Sequence, residues 1–142
     1  LLTRYRDKCH SADRPDDIEE VPFFRYIHVA DTEDKAVENT RSHVNWIQDI
    51  MQWKRHLSEK TEVDQSMDDW RNERDELPPD YEYIRNNRAF IGTPEEIVEK
   101  ILRLKSKGIT YFGCNFAMGG LGQDAIVQSM RLFHKKVRPL ID

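Results

Sequence analysis

The 142-residue sequence contains no apolar run that approaches the ~20 residues a membrane-spanning helix requires. Its first ten residues, LLTRYRDKCH, lack the three zones of a secretory signal peptide. It has only two cysteines, Cys9 and Cys114, and their separation matches no metal-binding or redox motif. These absences predict a cytoplasmic protein with two free thiols and no membrane partner.

The sequence also lacks the positive charge of a nucleic-acid-binding protein. It has 22 Lys and Arg residues against 26 Asp and Glu residues, a net charge of −4, so we expect no nucleic-acid partner. The five histidines do not have the spacing of metal ligands, and we predict no metal site. His28 lies on a predicted strand, where it has either an ordinary structural role or a place in the interior or mouth of the fold. The histidines are His10, His28, His43, His56 and His134.

Residues 23–30, FFRYIHVA, are rich in aromatic and β-branched side chains and predict a strand. Asp31 and Thr32 follow as helix N-cap residues, with acidic residues in the first turn, where the helix dipole favours them. The long helix that follows carries apolar residues on two stripes, which predicts contacts with neighbours on two sides. The segment from about 58 to 88 is acidic and contains few large apolar residues besides Trp70, so we interpret it as a mobile or partly helical insertion.

The last third of the sequence has the clearest local signals. Thr93 predicts an N-cap, Pro94 the first helical position and Glu96 the partner in a capping box. Gly108 predicts a left-handed residue at the end of this helix. A uniformly apolar strand over 109–116 and a helix over about 124–137 complete the pattern.

These elements form two strands that are each followed by a helix, which predicts parallel strands and an α/β fold. Two parallel strands do not form a stable sheet by themselves. We therefore expect residues 1–142 to be the C-terminal portion of a single (β/α)₈ TIM barrel domain, helix-rich and with about two strands. Leu1 opens within a helical pattern, so the earlier strands should lie outside this sequence. A flavodoxin-like sheet is less favoured, because too few strands precede the last helix.

Five short motifs, taken together, resemble a known family. They are the junction YIHVADTEDKAVE (26–38), G-T-P-E-E (92–96), K-G-I (107–109), N-F-x-x-G-G-L (115–121) and S-M-x-L-F-x-x-x-V-x-P (129–139). Their order and spacing are similar to the C-terminal end of the bacterial luciferase-like, flavin-dependent monooxygenases. The resemblance covers most of the chain and is weakest over residues 59–82.

The resemblance implies a barrel that binds reduced FMN at the C-terminal ends of its strands. Enzymes of this kind react the flavin with O₂ and insert one oxygen atom into a small organic substrate. The implied partners are a separate flavin reductase and a second copy of the chain in a homodimer, or the missing N-terminal part of the barrel. Because that part carries most flavin contacts, we expect the 142-residue chain by itself to be inactive. Some relatives instead use a deazaflavin for hydride transfer.

Five residues are candidates for the pocket or for cofactor contact. Asn115 and Phe116 end the last predicted strand, where barrel enzymes place working residues, although packing inside the barrel explains them equally well. Gly119 and Gly120 precede a helix N-terminus, an arrangement that binds phosphate or simply makes a tight turn. Trp70 would lie on a lid or anchor the acidic insertion. We predict no catalytic acid or base in this segment.

A different class of function also fits the pattern. The apolar stripes of the long helix would equally suit a non-catalytic helical protein-interaction module that binds a partner chain. Flavin binding distinguishes the two, because such a module should ignore the cofactor.

Overall fold

The computed structural model describes residues 2–14, 22–59 and 80–142. In chain order the elements are α1 (Leu2–Ser11), β1 (Pro22–Val29), α2 (Glu33–Glu59), α3 (Tyr81–Asn87), β2 (Ala89–Gly92), α4 (Pro94–Lys105), β3 (Tyr111–Asn115) and α5 (Gln123–Leu132). A π-helical turn, Phe133–Val137, and a 3₁₀ turn, Arg138–Leu140, follow α5. Trp70 and residues 60–79 of the predicted insertion lie outside the described residues. None of the described helices combines the length and apolarity needed to cross a membrane.

The three strands form one parallel sheet in the order β2-β1-β3. The predicted α/β class with parallel strands is confirmed, but the prediction of about two strands is wrong. The additional strand is β2, which has only four residues and is buried throughout. It shows no alternation of polar and apolar residues, and it lies between the end of the predicted insertion and a helix cap, so no local pattern marks it.

This strand order differs from that of a barrel, in which strands that follow one another in the chain lie side by side. Order 2-1-3 is the order that begins a doubly wound sheet. The outer edge of β2 is occupied by cationic side chains, because Lys100 Nζ and Arg85 Nε each lie 3.5 Å from the Ile91 carbonyl oxygen. Charged side chains of this kind discourage a further strand from pairing at an edge. Within the described residues β3 pairs instead with the other side of β1.

Helices cover both faces of the sheet, as parallel sheets require. The α2 face carries Tyr26 and His28 of β1 and is covered by α2 and α3. The α4 face carries Ile27 and Val29 and is covered by α4 and the turn at Phe133–Val137. The end of the predicted insertion belongs to this architecture, because α3 buries three of its residues against α2 and β2. These are Tyr81, Ile84 and Arg85.

The local signals of the last third are confirmed. Thr93 is the N-cap of α4, and its hydroxyl accepts a hydrogen bond from Glu96 N at 3.4 Å. Glu96 Oε2 in turn accepts one from Thr93 N at 2.8 Å, which completes the capping box. Gly108 has φ +85°, in the left-handed region that favours glycine. These contacts fix the start and the exit of α4 and hence the position of β3.

Cys114 is on β3 and packs with the apolar cluster of the α4 face. Burial raises the pKa of its thiol from 9.0 to about 11, which keeps the thiol protonated near neutral pH. The reactive thiolate at pH 8 should therefore be roughly a hundredfold scarcer than for a cysteine of ordinary pKa. We expect a Cys9→Ala variant, which has this thiol alone, to react slowly with Ellman's reagent in buffer and rapidly in urea. Equal rates in the two solvents would show that Cys114 is accessible and ionised.

Candidate functional site

The two faces of the sheet differ in chemistry. The described core of the α4 face is apolar apart from Ser129, whose hydroxyl accepts a hydrogen bond from Val29 N at 2.8 Å. The α2 face instead collects polar side chains between sheet and helix. They are His28, Asn39, Thr40, His43 and Tyr81. Burying polar groups costs free energy unless they are hydrogen-bonded, so such a cluster is less common in a core than apolar packing. The α2 face is therefore the better candidate for a site.

A cleft of about 640 Å³ opens on the α2 face. Its lining is mainly apolar and aromatic, with Phe24 and Tyr26 from β1 and Tyr83 from α3. Asn115 and Met118 contribute from the end of β3 and the loop that follows. Both the size and the lining, many apolar groups with a few polar ones, are typical of small-molecule sites.

The stagger of the strands explains why the cleft lies there. Tyr26 pairs with Asn115 on one side and with Ala89 on the other. β3 accompanies β1 over residues 22–26, whereas β2 accompanies it only from Tyr26 onward. Beside Phe24 the β2 side of β1 therefore has no strand neighbour among the described residues, and the cleft occupies this notch.

Phe24 owes its position to a residue on the neighbouring strand. A Cβ atom at Gly113 would overlap the Phe24 ring, so the ring lies directly over the bare backbone of β3. Tyr111 supports the same ring edge-on, with a distance of 6.3 Å between the ring centroids. Phe24 remains 62% exposed, which makes it an apolar wall open to a ligand.

His28 is the most unusual polar group on this face. Its Nε2 lies 3.2 Å from the amide nitrogen of Asn39, which can only donate, so Nε2 accepts and the neutral ring carries its proton on Nδ1. Nδ1 is buried and has no hydrogen-bond partner among the described residues. Burial, reinforced by the nearby His43, lowers the pKa of His28 to about 4. At neutral pH the fold therefore holds an uncharged donor beside the cleft residue Tyr26.

The glycine loop packs against α2. His43 Nδ1 donates a hydrogen bond to the Gly119 carbonyl oxygen at 3.0 Å. A Cβ at position 119 would overlap the ring of Trp46, which fills the adjacent space. Gly120 has φ +80°, and a Cβ there would lie 3.2 Å from His43 Nδ1. Close contact with α2 and a left-handed backbone account for glycine at both positions.

The structure separates the residues predicted at the strand end. Asn115 lines the cleft, and its Oδ1 accepts a hydrogen bond from Ala117 N at 3.1 Å. Phe116 instead packs with the α4 face, edge-on to Phe133 at a centroid distance of 5.6 Å. Gly119 and Gly120 lie against α2 as described. Trp70, the remaining candidate, is outside the described residues.

Apart from Asn115, the residues that line the cleft were not predicted as site residues from the sequence. Tyr26 could have been found, because the alternation along β1 places it on the same face as His28. Arg25 and Arg88 also line the cleft, but they carry no local signal, since one is on a strand and the other ends a short helix. Over the ranges that the structure describes, no cluster of three His, Cys, Asp or Glu residues is arranged to hold a metal ion.

A family model described as luciferase-like monooxygenase matches residues 1–111. The chain belongs to the luciferase-like monooxygenase family. No curated protein matches the chain. The match includes the motifs at 26–38, 92–96 and 107–109 but ends before those at 115–121 and 129–139, whose resemblance to the family rests on the residues alone.

The cleft of this luciferase-like chain is suited to binding more than to acid–base chemistry. Its walls are aromatic and aliphatic, and its ionisable lining groups are Arg25, Arg88 and Asp80 together with two tyrosines. Asp80 is occupied as the N-cap of α3, where its Oδ1 accepts from Tyr83 N at 3.1 Å. An arginine remains protonated in proteins and does not exchange protons near neutral pH. The arrangement can hold an organic molecule and exclude water from it.

Proposed function

We propose that the chain is the C-terminal part of a flavin-dependent monooxygenase that oxygenates a small organic substrate. The observation that carries the proposal is the family match over residues 1–111. Reduced FMN, supplied by a separate reductase, would provide the activation of O₂. The parent would be a cytoplasmic enzyme, and the residues of this chain would bind, orient and shield the reactants.

The cleft fits the kind of group that this chemistry requires. A flavin ring is flat and largely apolar, and Phe24, Tyr26 and Tyr83 offer aromatic surfaces around a cleft of about 640 Å³. Asn115 supplies an amide that can hydrogen-bond to ring or substrate oxygen atoms. We assign these residues to binding and positioning, not to proton transfer.

The proposed parent is a (β/α)₈ barrel, and closing such a barrel would require β3 to pair with β2. In a barrel β3 would lie beside β2, at the edge where Arg85 and Lys100 now contact the Ile91 carbonyl oxygen. Both cations would have to leave that oxygen before the two strands could pair. The strand order would then change from 2-1-3 to 1-2-3, and the earlier strands of the barrel would lie beside β1.

Two alternatives share parts of this structure. A deazaflavin-dependent oxidoreductase would use the same barrel and the same cleft for hydride transfer. A non-catalytic interaction module would instead use the apolar side chains that remain at the surface of the helices. Trp46 is 51% exposed, Met130 49% and Leu102 42%.

The test is a flavin titration of the protein expressed from its complete reading frame. We expect anaerobic binding of reduced FMN and, with O₂ present, consumption of oxygen that depends on an added organic substrate. Asn115→Ala should weaken flavin or substrate binding about fivefold, the effect of losing one hydrogen bond. Asn86→Ala, at an exposed position outside the cleft, is the matched control. Tight binding of reduced deazaflavin but not FMN would favour the hydride-transfer alternative, and binding of neither would favour the interaction module.

A further inference from the structure

Two arginines at the cleft have no acidic partner among the described residues. The Arg88 guanidinium makes no ion pair or hydrogen bond within the described part of the chain, although Arg88 follows directly on α3 and lines the cleft. Arg25 lies over the Phe23 ring at 3.9 Å and donates to the Phe24 carbonyl oxygen at 2.9 Å, again without a carboxylate. In a chain with more acidic than basic residues, two such arginines lining one cleft are unexpected.

Other arginines of the chain do form ion pairs with glutamates. Arg85 meets Glu33 at 2.7 Å and Glu96 at 3.5 Å, and Arg41 meets Glu82 at 3.7 Å. Arg25 and Arg88 instead lie close enough to repel each other. Burial lowers the pKa of Arg25, and the charge of Arg88 lowers it further. Asp80, the acidic residue in the cleft lining, caps α3 and does not reach either guanidinium within ion-pair distance.

An anion would relieve this repulsion. Guanidinium groups bind carboxylate, sulfonate and phosphate through paired, charge-assisted hydrogen bonds. The rest of the cleft is apolar, with Tyr26, Ile47 and Met118 among its lining residues. A small inorganic anion would leave these surfaces uncovered, whereas an organic molecule with one charged end would fill them.

We propose that this cleft binds an organic anion, with its apolar or flat aromatic body over Tyr26 and its acidic group at Arg25 and Arg88. Either a substrate acid or the phosphate end of a flavin nucleotide has this chemistry. Binding needs neither reduced flavin nor oxygen, so it can be measured independently of the proposed oxygenation.

The experiment compares pairs of ligands that differ only in the charged group. Calorimetric titration of the 142-residue chain with octanoate and octanol, in buffer of about 50 mM salt to limit screening, tests a substrate acid. FMN and riboflavin form the second pair and test the phosphate end. We expect at least one acidic ligand to bind about tenfold more tightly than its neutral counterpart. A preference for octanoate indicates a substrate acid, and a preference for FMN indicates the nucleotide.

Arg88→Gln is the decisive variant, because Arg88 is exposed and its replacement leaves the core unchanged. It should abolish most of the acid preference, and Arg25→Gln should do the same if the variant remains folded. Arg103→Gln removes an exposed arginine that does not line the cleft and should leave the preference intact. Equal binding of acidic and neutral ligands, or an acid preference that survives in Arg88→Gln, would overturn the proposal.

Discussion

Arg85→Met should lower the free energy of unfolding by about 2 kcal/mol. The Arg85 side chain is 9% exposed and lies between Glu33 at 2.7 Å, Glu96 at 3.5 Å and Glu82 at 3.7 Å. It also contacts the Ile91 carbonyl oxygen at the edge of β2. The expected loss is below the roughly 3–5 kcal/mol typical of a fully buried pair, because the carboxylates are partly in water. Urea unfolding followed by circular dichroism measures it.

Two further variants show where the loss originates. Arg85→Lys keeps the charge but cannot reach two carboxylates at once, so its stability should lie between those of the parent and of Arg85→Met. Arg103→Met removes an exposed arginine from α4 and should change stability by less than about 0.5 kcal/mol. If Arg85→Met were as stable as the Arg103 variant, the cluster would contribute nothing to the fold.

The second large effect is a loss of stability in mild acid that originates at His28. Its pKa is about 4 in the folded chain, against 6.5 for an ordinary histidine. Between these values the unfolded chain takes up a proton that the folded chain excludes, so stability falls as pH drops from 6.5 to 4 and is unaffected above that range. The full loss is roughly 3 kcal/mol, and about 2 kcal/mol is reached by pH 5.

Comparison with His28→Leu isolates this contribution. The variant has no ring to protonate, so its free energy of unfolding should fall less than that of the parent between pH 7 and pH 5. Exposed His134 provides the matched control, and His134→Gln should follow the parent across the whole range. Parallel pH profiles for the parent and His28→Leu would contradict the assignment of a buried neutral ring.

Local chemistry made part of the fold predictable. Thr93 and Glu96 form their capping box with each other, and Gly108 adopts a left-handed backbone because of its own lack of a side chain. The aromatic and β-branched run of β1 likewise contains its own strand signal. Interactions within a few residues of the chain determine all three features.

Features that depend on contacts between distant segments were not predicted from the sequence. The length and pairing of β2 depend on β1, some sixty residues earlier in the chain. The outer edge of β2, at the Ile91 carbonyl oxygen, is occupied by side chains from α3 and α4. The cleft likewise brings Tyr26, Arg88 and Asn115 together only once the strands are paired. Arg25 and Arg88 are far apart in the sequence, so they repel each other only because the fold brings them close together. Asn115 was predicted as a site residue because the end of a parallel strand is a general location for sites, and it does line the cleft.

Gly113 has a consequence beyond its own strand. It does not line the cleft, yet its missing side chain is what allows the Phe24 ring to lie where it forms a wall. A methyl group at position 113 would lift that wall from the opposite strand and reshape the cavity without altering any group that touches a ligand. Libraries intended to alter ligand preference should therefore vary position 113 together with the wall itself.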